Sequence, residues 1–129
     1  MSTPQILSPD TVHPTTGYSH AVVTSGRLLV VSGQVGLGKD GRVVGGGDFE
    51  PQAAQAFENL MSVLKAGGAS ARDVVRLGVI LTSRDYLPKF REVRLRYFPP
   101  PQPASTLIIA GLVTPDLLVE VEALAQLPS

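Results

Sequence analysis

Near its C-terminus the chain reads Leu117-Leu118-Val119-Glu120-Val121-Glu122-Ala123-Leu124-Ala125. Apolar and acidic residues alternate through the middle of this stretch. A period of two marks a strand with one buried face. Side chains two apart on a strand share a face, so Glu120 and Glu122 point the same way, about 6–7 Å apart. Two explanations are open. The stretch can be an edge strand whose wet face carries acids that discourage aggregation. Alternatively, one carboxylate lines a pocket at a subunit boundary and acts there as a general base or holds an attacking water.

The remaining elements follow from punctuation and period. Residues 1 to about 17, rich in Pro, Ser and Thr, read as an extended lead-in. From Ser19 to Gly33, two β-rich runs flank Ser25-Gly26, which predicts a hairpin. A glycine-rich connection follows, with a tight turn at Lys39-Asp40-Gly41. Phe57, Leu60, Met61 and Leu64 recur at helical spacing, with Asp48 as N-cap, Pro51 in the first turn and Gly67-Gly68 as the stop. Asp73 to Ser83 reads as a strand. Tyr86 to Phe98 reads as a second helix, with Leu87, Phe90, Val93 and Tyr97 on one side and a proline run ending it. Ser105 to Leu112 and Leu117 to Ala125 close the chain as strands.

This predicts a single α+β domain over residues 1–129, in the order β-β-α-β-α-β-β with room for one more strand before the first helix. Two helices cannot cover both faces of such a sheet, so both should pack on one face. Strand residues such as Leu107, Ile109, Leu118 and Leu124 are too apolar for a wet second face, which predicts a homo-oligomer.

Composition narrows the function classes. Eleven basic and eleven acidic residues cancel, so the chain lacks the field that attracts nucleic acid or anionic membranes. With no cysteine there is no thiol nucleophile and no zinc–thiolate site. The first residues lack a basic start and an apolar core, no apolar run nears the ~18 residues that span a bilayer, and a cytoplasmic protein is expected. His13 and His20 make no recognised metal spacing, and no G-x-S-x-G elbow accompanies them. Gly36 to Gly41 matches G-x-G-x-x-G, but no helix start follows, so it reads as a turn. Arg84, Lys89, Arg91, Arg94 and Arg96 cluster on and before the second helix. They form either a solvated face or a group from which one or two reach a pocket and hold an anion.

Several stretches together resemble the Rid family, the YjgF-type reactive-intermediate deaminases. "GYSHAVVTSGRLLVVSGQVG", "QAFENLMSVLKAGGASARDVVRLGVILTS" and "PAST…LVEVEALA" stand in that family's order, from about Tyr18 to Ala125. The resemblance implies a chorismate-mutase-like fold, a mixed sheet with two helices on one face, and a homotrimer with small-molecule clefts at its subunit interfaces. It also implies hydrolysis of 2-imino or enamine acids to 2-keto acids and ammonia, with no metal and no cofactor. Glu120 falls on the glutamate that positions the hydrolytic water, and Glu122 is secondary. Tyr18 falls on a tyrosine near the ligand, and Ser32, Gly33 and Gln34 fall on an S-G-Q turn beside the cleft. Arg91 falls on an asparagine of the second helix, and Leu107 on a cysteine or similar residue.

One departure bears on chemistry. The family's deaminases clamp the substrate carboxylate with an arginine after Pro-Ala, and here that position is Ser105. The chain therefore resembles an arginine-lacking branch. Either the cleft hydrolyses a related C–N bond on a substrate held otherwise, with Arg91 or Arg94 supplying the charge, or it binds a metabolite without chemistry. A ribonuclease or translation inhibitor is disfavoured by the neutral charge and the absence of a histidine pair.

Overall fold

In the computed structural model, which describes residues 4–128, the chain runs β1 (Gln5–Leu7), β2 (Ala21–Val23), β3 (Leu28–Val35), α1 (Phe49–Ala66), β4 (Val74–Leu81), α2 (Leu87–Tyr97), β5 (Ala104–Ile109) and β6 (Val119–Gln126). Residues 1–3 of the expected lead-in lie outside the described residues. Short 3-10 turns at Ala71–Asp73 and Arg84–Tyr86 lead into β4 and α2.

The helical period seen in the sequence becomes a buried stripe. Ala53, Ala56, Phe57, Leu60 and Leu64 of α1 are each 0% exposed, as are Phe90 and Val93 of α2. Asp48 takes the N-cap position of α1 with extended backbone, without a side-chain bond to the helix. Gly67 caps the other end, and Gly68, at φ +85°, turns the chain away. The Phe57 ring lies 5.7 Å from Phe90 and 5.1 Å from Tyr97, centroid to centroid, and so ties the helices together. Among the described residues, no helix is long and apolar enough to cross a membrane.

Both helices pack on a mixed sheet of order β3-β6-β4-β5, in which only the β4–β5 pair is parallel. β6 is thus an interior strand, which removes the edge-strand explanation of its two acids. Its Val119, Val121, Ala123 and Ala125 are buried beneath the helices, while Glu120, Glu122 and Leu124 alternate to the other face.

Three expectations are corrected. The predicted hairpin does not form, because β2 pairs with β1 in a separate two-stranded sheet and β3 pairs with β6. Ser25-Gly26 joins the two sheets, with Gly26 at φ +78° and the Gln126 side-chain carbonyl accepting from Thr24 Oγ1 and Ser25 N–H. Ser32, Gly33 and Gln34 are not a turn but the end of β3, where a bulge separates Val31 from Gln34. Leu107 and Leu118 are not on the second face. The register Val79↔Leu107 places Leu107 on the helical side, and both leucines pack against the core. The apolar second face exists, with Leu124 on it as expected; Ile109, in register with buried Leu81, is not on it, and Val30 (72% exposed), Ile108 (49%) and Leu28 (47%) are.

Entry into β6 is fixed by Gln52, which is 0% exposed. Its Oε1 accepts from the Leu118 N–H at 2.6 Å and its Nε2 donates to the Asp116 carbonyl at 3.1 Å. Gly36 packs against it, leaving no room for a side chain at that position. Gln52→Leu keeps the volume but orphans both backbone groups. It should lower the urea-unfolding free energy by about 1–3 kcal/mol, and an unchanged denaturation midpoint would show that the bonds are dispensable.

Candidate functional site

The two acids of β6 have different surroundings. Glu122 lies opposite Gly78 of β4 and pairs with Arg76 at 3.3 Å. Glu120, half-buried, has no hydrogen bond or ion pair to any described residue. It lies against Gly33, where an added Cβ would sit 2.5 Å from the Glu120 Cδ. Gly33 is therefore a notch that lets the carboxylate lie along the sheet. Its position is set by Asn59 of α1, whose Nδ2 donates to the carbonyls of Val35 and Leu37 at 2.9 Å each, holding the end of β3.

The structure divides the predicted site residues into two groups. Tyr18, Arg91, Arg94, Ser105 and Leu107 line one cavity of about 350 Å³. Gly33 and Gln34 line a second of about 550 Å³, on the side of Gln55 and Asn59. Ser32 is exposed beside the second cavity, and its carbonyl accepts from Gln34 Nε2 at 3.1 Å. Strand pairing explains the division. Ser105 is in register with Leu77, which is buried under the helices, whereas Glu120 is in register with Ile80 on the opposite face. One chain therefore turns Glu120 and Ser105 to opposite sides of its own sheet. A third cavity, of about 710 Å³, lies between β1 and the proline run and is walled by Ile6, Val22, Phe98 and prolines. It holds none of the predicted residues.

The cations of α2 separate as well. Lys89 pairs with Glu50 and Glu92, and Arg96 with Glu50 at 2.6 Å. The Arg96 hydrogen bond, and then Lys89, hold the Glu50 carboxyl below its usual range. Arg91 and Arg94 take part in no such pair among the described residues and face the smaller cavity. Burial first, and then the like charge of Arg91, push the Arg94 pKa down.

Sequence reading did not foresee a small aromatic assembly beside Tyr18. The His13 and His20 rings meet edge to face at 4.8 Å, and His13 Nε2 lies 3.3 Å from the Tyr18 hydroxyl. Its only signal was the seven-residue spacing, which shows nothing until Gly17, at φ +85°, folds the segment back. Gly36 to Gly41 is a turn, as expected, closed by the Gly41 N–H to Gly38 carbonyl bond at 2.9 Å. Among the described residues, no group of three or more His, Asp or Glu is placed to hold a metal ion.

With fold and geometry in hand, comparison with known proteins is decisive. The family model described as Endoribonuclease L-PSP matches residues 9–127. The chain belongs to the Endoribonuclease L-PSP family, also called the YjgF/Rid family. A RutC family protein of Pyrococcus horikoshii is 32% identical over 93% of this chain and 94% of its own length. Among solved structures, the Rid family protein YyfB of Yersinia pestis, described as of unknown function, superposes with a TM-score of 0.88. It is 34% identical and covers 98% of this chain and 100% of its own. RidA from an Antarctic Psychrobacter is 30% identical, with a TM-score of 0.73, over 95% of this chain and 99% of its own. The shared Rid fold accounts for the two helices on one sheet face.

The two acids make a separable prediction. Glu122→Gln breaks an exposed pair and should change stability by less than about 1 kcal/mol. Gly33→Ala should leave the fold intact but push the Glu120 carboxyl off the sheet, visible as a moved side chain in a crystal structure. An unmoved carboxylate would mean that Gly33 does not set its position.

Proposed function

We propose that this protein is a hydrolase of reactive imines or enamines, working in a cleft that a homotrimer completes, with Glu120 as the general base. The observation that carries this is the unpaired Glu120 carboxylate lying in the Gly33 notch. A carboxylate engaged like Glu122 has its lone pairs occupied by a cation. One left free on a partly desolvated surface can accept a proton from water.

The step balances simply. The oxygen of a water adds to the imine carbon while Glu120 takes one of its protons and passes it to the nitrogen. In the resulting carbinolamine the hydroxyl proton passes to the nitrogen, the C–N bond breaks, and ammonia leaves as the C=O bond of the product forms. An enamine first takes a proton on carbon to reach the same imine. No redox partner is required.

The reading requires a homo-oligomer because one chain separates the parts. Glu120 belongs to the open sheet face, and the Tyr18–Ser105 cavity belongs to the helical side of the sheet's edge. Val30, Leu28 and Ile108 give the open face an apolar surface that another copy can bury. Packing these faces around a threefold axis would bring the Glu120 of one chain toward the cavity of the next. The ribonuclease in the family's name draws no support from a chain of zero formal net charge.

Light scattering should give a mass three times the 13.6 kDa of one chain; a monomeric mass would remove the composite cleft. For the chemistry, 2-imino acids would be generated in situ by an amino-acid oxidase, with semicarbazide trapping whatever survives. Wild type should clear the imine, and Glu120→Gln should lose about 10²–10⁴-fold in rate. Equal clearance by both proteins would exclude Glu120 as the base. Tight binding without turnover would make the protein a metabolite binder.

A further inference from the structure

Arg94 is a buried cation with no anion beside it among the described residues. It is 8% exposed, one turn after Phe90 on α2, with its guanidinium carbon 5.5 Å from the Phe90 ring centroid. Gly17 closes over it from the other side, so near that any side chain at that position would overlap the guanidinium. No hydrogen bond or ion pair joins Arg94 to a described residue. The acids nearby on the helices are committed elsewhere, Glu50 to Arg96 and Lys89, and Glu92 to Lys89. The charge that acts on Arg94 is the like charge of Arg91.

A buried, uncompensated guanidinium is strongly destabilising and is retained only where something else supplies the anion. Arg94 is also reachable. No fully buried side-chain nitrogen or oxygen among the described residues lacks a partner, so its unbonded nitrogens keep access to the outside. That access is the 350 Å³ cavity it shares with Arg91, Ser105 and Thr106. The volume suits a small metabolite.

We propose that Arg94 is the anion-binding residue of this cavity and that its ligand is a small carboxylate, held by a clamp supplied from α2 rather than from β5. The planar fork of the guanidinium receives both carboxylate oxygens. Arg91, exposed on the same cavity, adds positive potential, and Ser105 and Thr106 also line it. The reacting C=N group of that ligand rests on the hydrolysis proposed above; the anion site does not.

The test uses the full-length protein and 2-oxobutyrate, an unreactive carboxylate, titrated by calorimetry beside 2-butanone, which lacks the charge, and inorganic phosphate. Saturable binding of 2-oxobutyrate but not of 2-butanone is expected. Arg94→Lys should weaken it at least about tenfold by losing the fork, and Arg94→Met about a hundredfold. Arg91→Gln should weaken it only a few-fold. Without ligand, Arg94→Met should melt at or above wild type, because it removes an unpaired buried charge. Absent binding, or equal binding by both Arg94 variants, would overturn the site, and tighter phosphate binding would overturn its carboxylate class. A lower melting temperature together with a smaller solution mass for Arg94→Met would instead mean that a neighbouring subunit supplies the anion, which also overturns it. The two proposals fail separately. Carboxylate binding through Arg94 without imine clearance removes only the hydrolysis. Clearance that needs Glu120, but keeps its KM in both Arg94 variants, removes only the clamp.

Discussion

The molecule is organised around the two-residue period of β6. This strand lies between β3 and β4, hydrogen-bonded on both edges, so a shift in its register would move every side chain to the wrong face. On one side, Val119, Val121, Ala123 and Ala125 form the floor on which both helices rest. On the other, Glu120 and Glu122 are carried out on the same rigid backbone. The packing that stabilises the domain and the placement of its acids are therefore one constraint. Gln52 reinforces it by binding the backbone at Asp116 and Leu118, just before the strand begins. An acid aimed from an interior strand has little freedom to wander, which is the condition for useful electrostatics at a reacting centre.

Glycine then separates the fates of the two acids. Gly78 lies beneath the Arg76–Glu122 pair, where an added Cβ would be 2.8 Å from the Arg76 Nη1. Gly33 lies beneath Glu120, with no cation above. Both positions remove a side chain so that a carboxylate can lie flat on the sheet, but only one provides a counter-ion. The paired acid contributes a surface interaction of modest worth. The free one leaves its lone pairs open to water or a ligand. Two residues of identical chemistry, two positions apart, thus become a paired acid and an unpaired one through their neighbours alone.

Local signals were legible in the sequence, and partnerships distant along the chain were not. The helical spacing of Phe57, Leu60, Met61 and Leu64, with its Asp48 and Gly67 bounds, and the proline run after Phe98 located both helices within a residue or two, because helices are made by near neighbours. The alternation of β6 correctly indicated which residues turn outward. The hairpin failed because strand propensity on either side of Ser25-Gly26 says nothing about which edge each strand will meet. β3 found its partner at Leu124 and Gln126, and β2 found its own at Gln5–Leu7. Leu107 was misplaced for the same reason: its face depends on a parallel register with β4 that no local pattern encodes. In the site, the resemblance named Tyr18, Gly33 and Glu120 by motif; Gly33 lies against Glu120, while Tyr18 lines a different cavity. Among the five cations near α2, sequence could not tell which would find acids. That is decided by Glu50, which reaches across from α1 to take Lys89 and Arg96.

The proposed carboxylate clamp on α2, in place of one on β5, would have a consequence for specificity. In the proposed composite cleft an arginine on β5 would face the Glu120 of a neighbouring chain, because one chain turns positions 105 and 120 to opposite sides of its sheet, so the anchored anion and the attacked carbon would be held in a frame set by subunit packing. Arg94 reaches the cavity from above, off α2, between Phe90 and Gly17. Ser105, at the sheet level, offers a short hydroxyl and leaves volume where a longer side chain would stand. If the proposed anion site and hydrolysis both hold, an anion held from α2 would enter on the α2 side, and the carbon attached to it would meet a Glu120-activated water from a different direction. Charge and bidentate fit can be equal in the two arrangements while the substrate geometry is not. Hydrolysis depends on the approach of water to the C=N carbon, and displacements of about 1 Å at a reacting centre cost on the order of a hundredfold in rate. A clamp relocated in this way would thus select a differently shaped carboxylate instead of merely weakening the grip on the usual one.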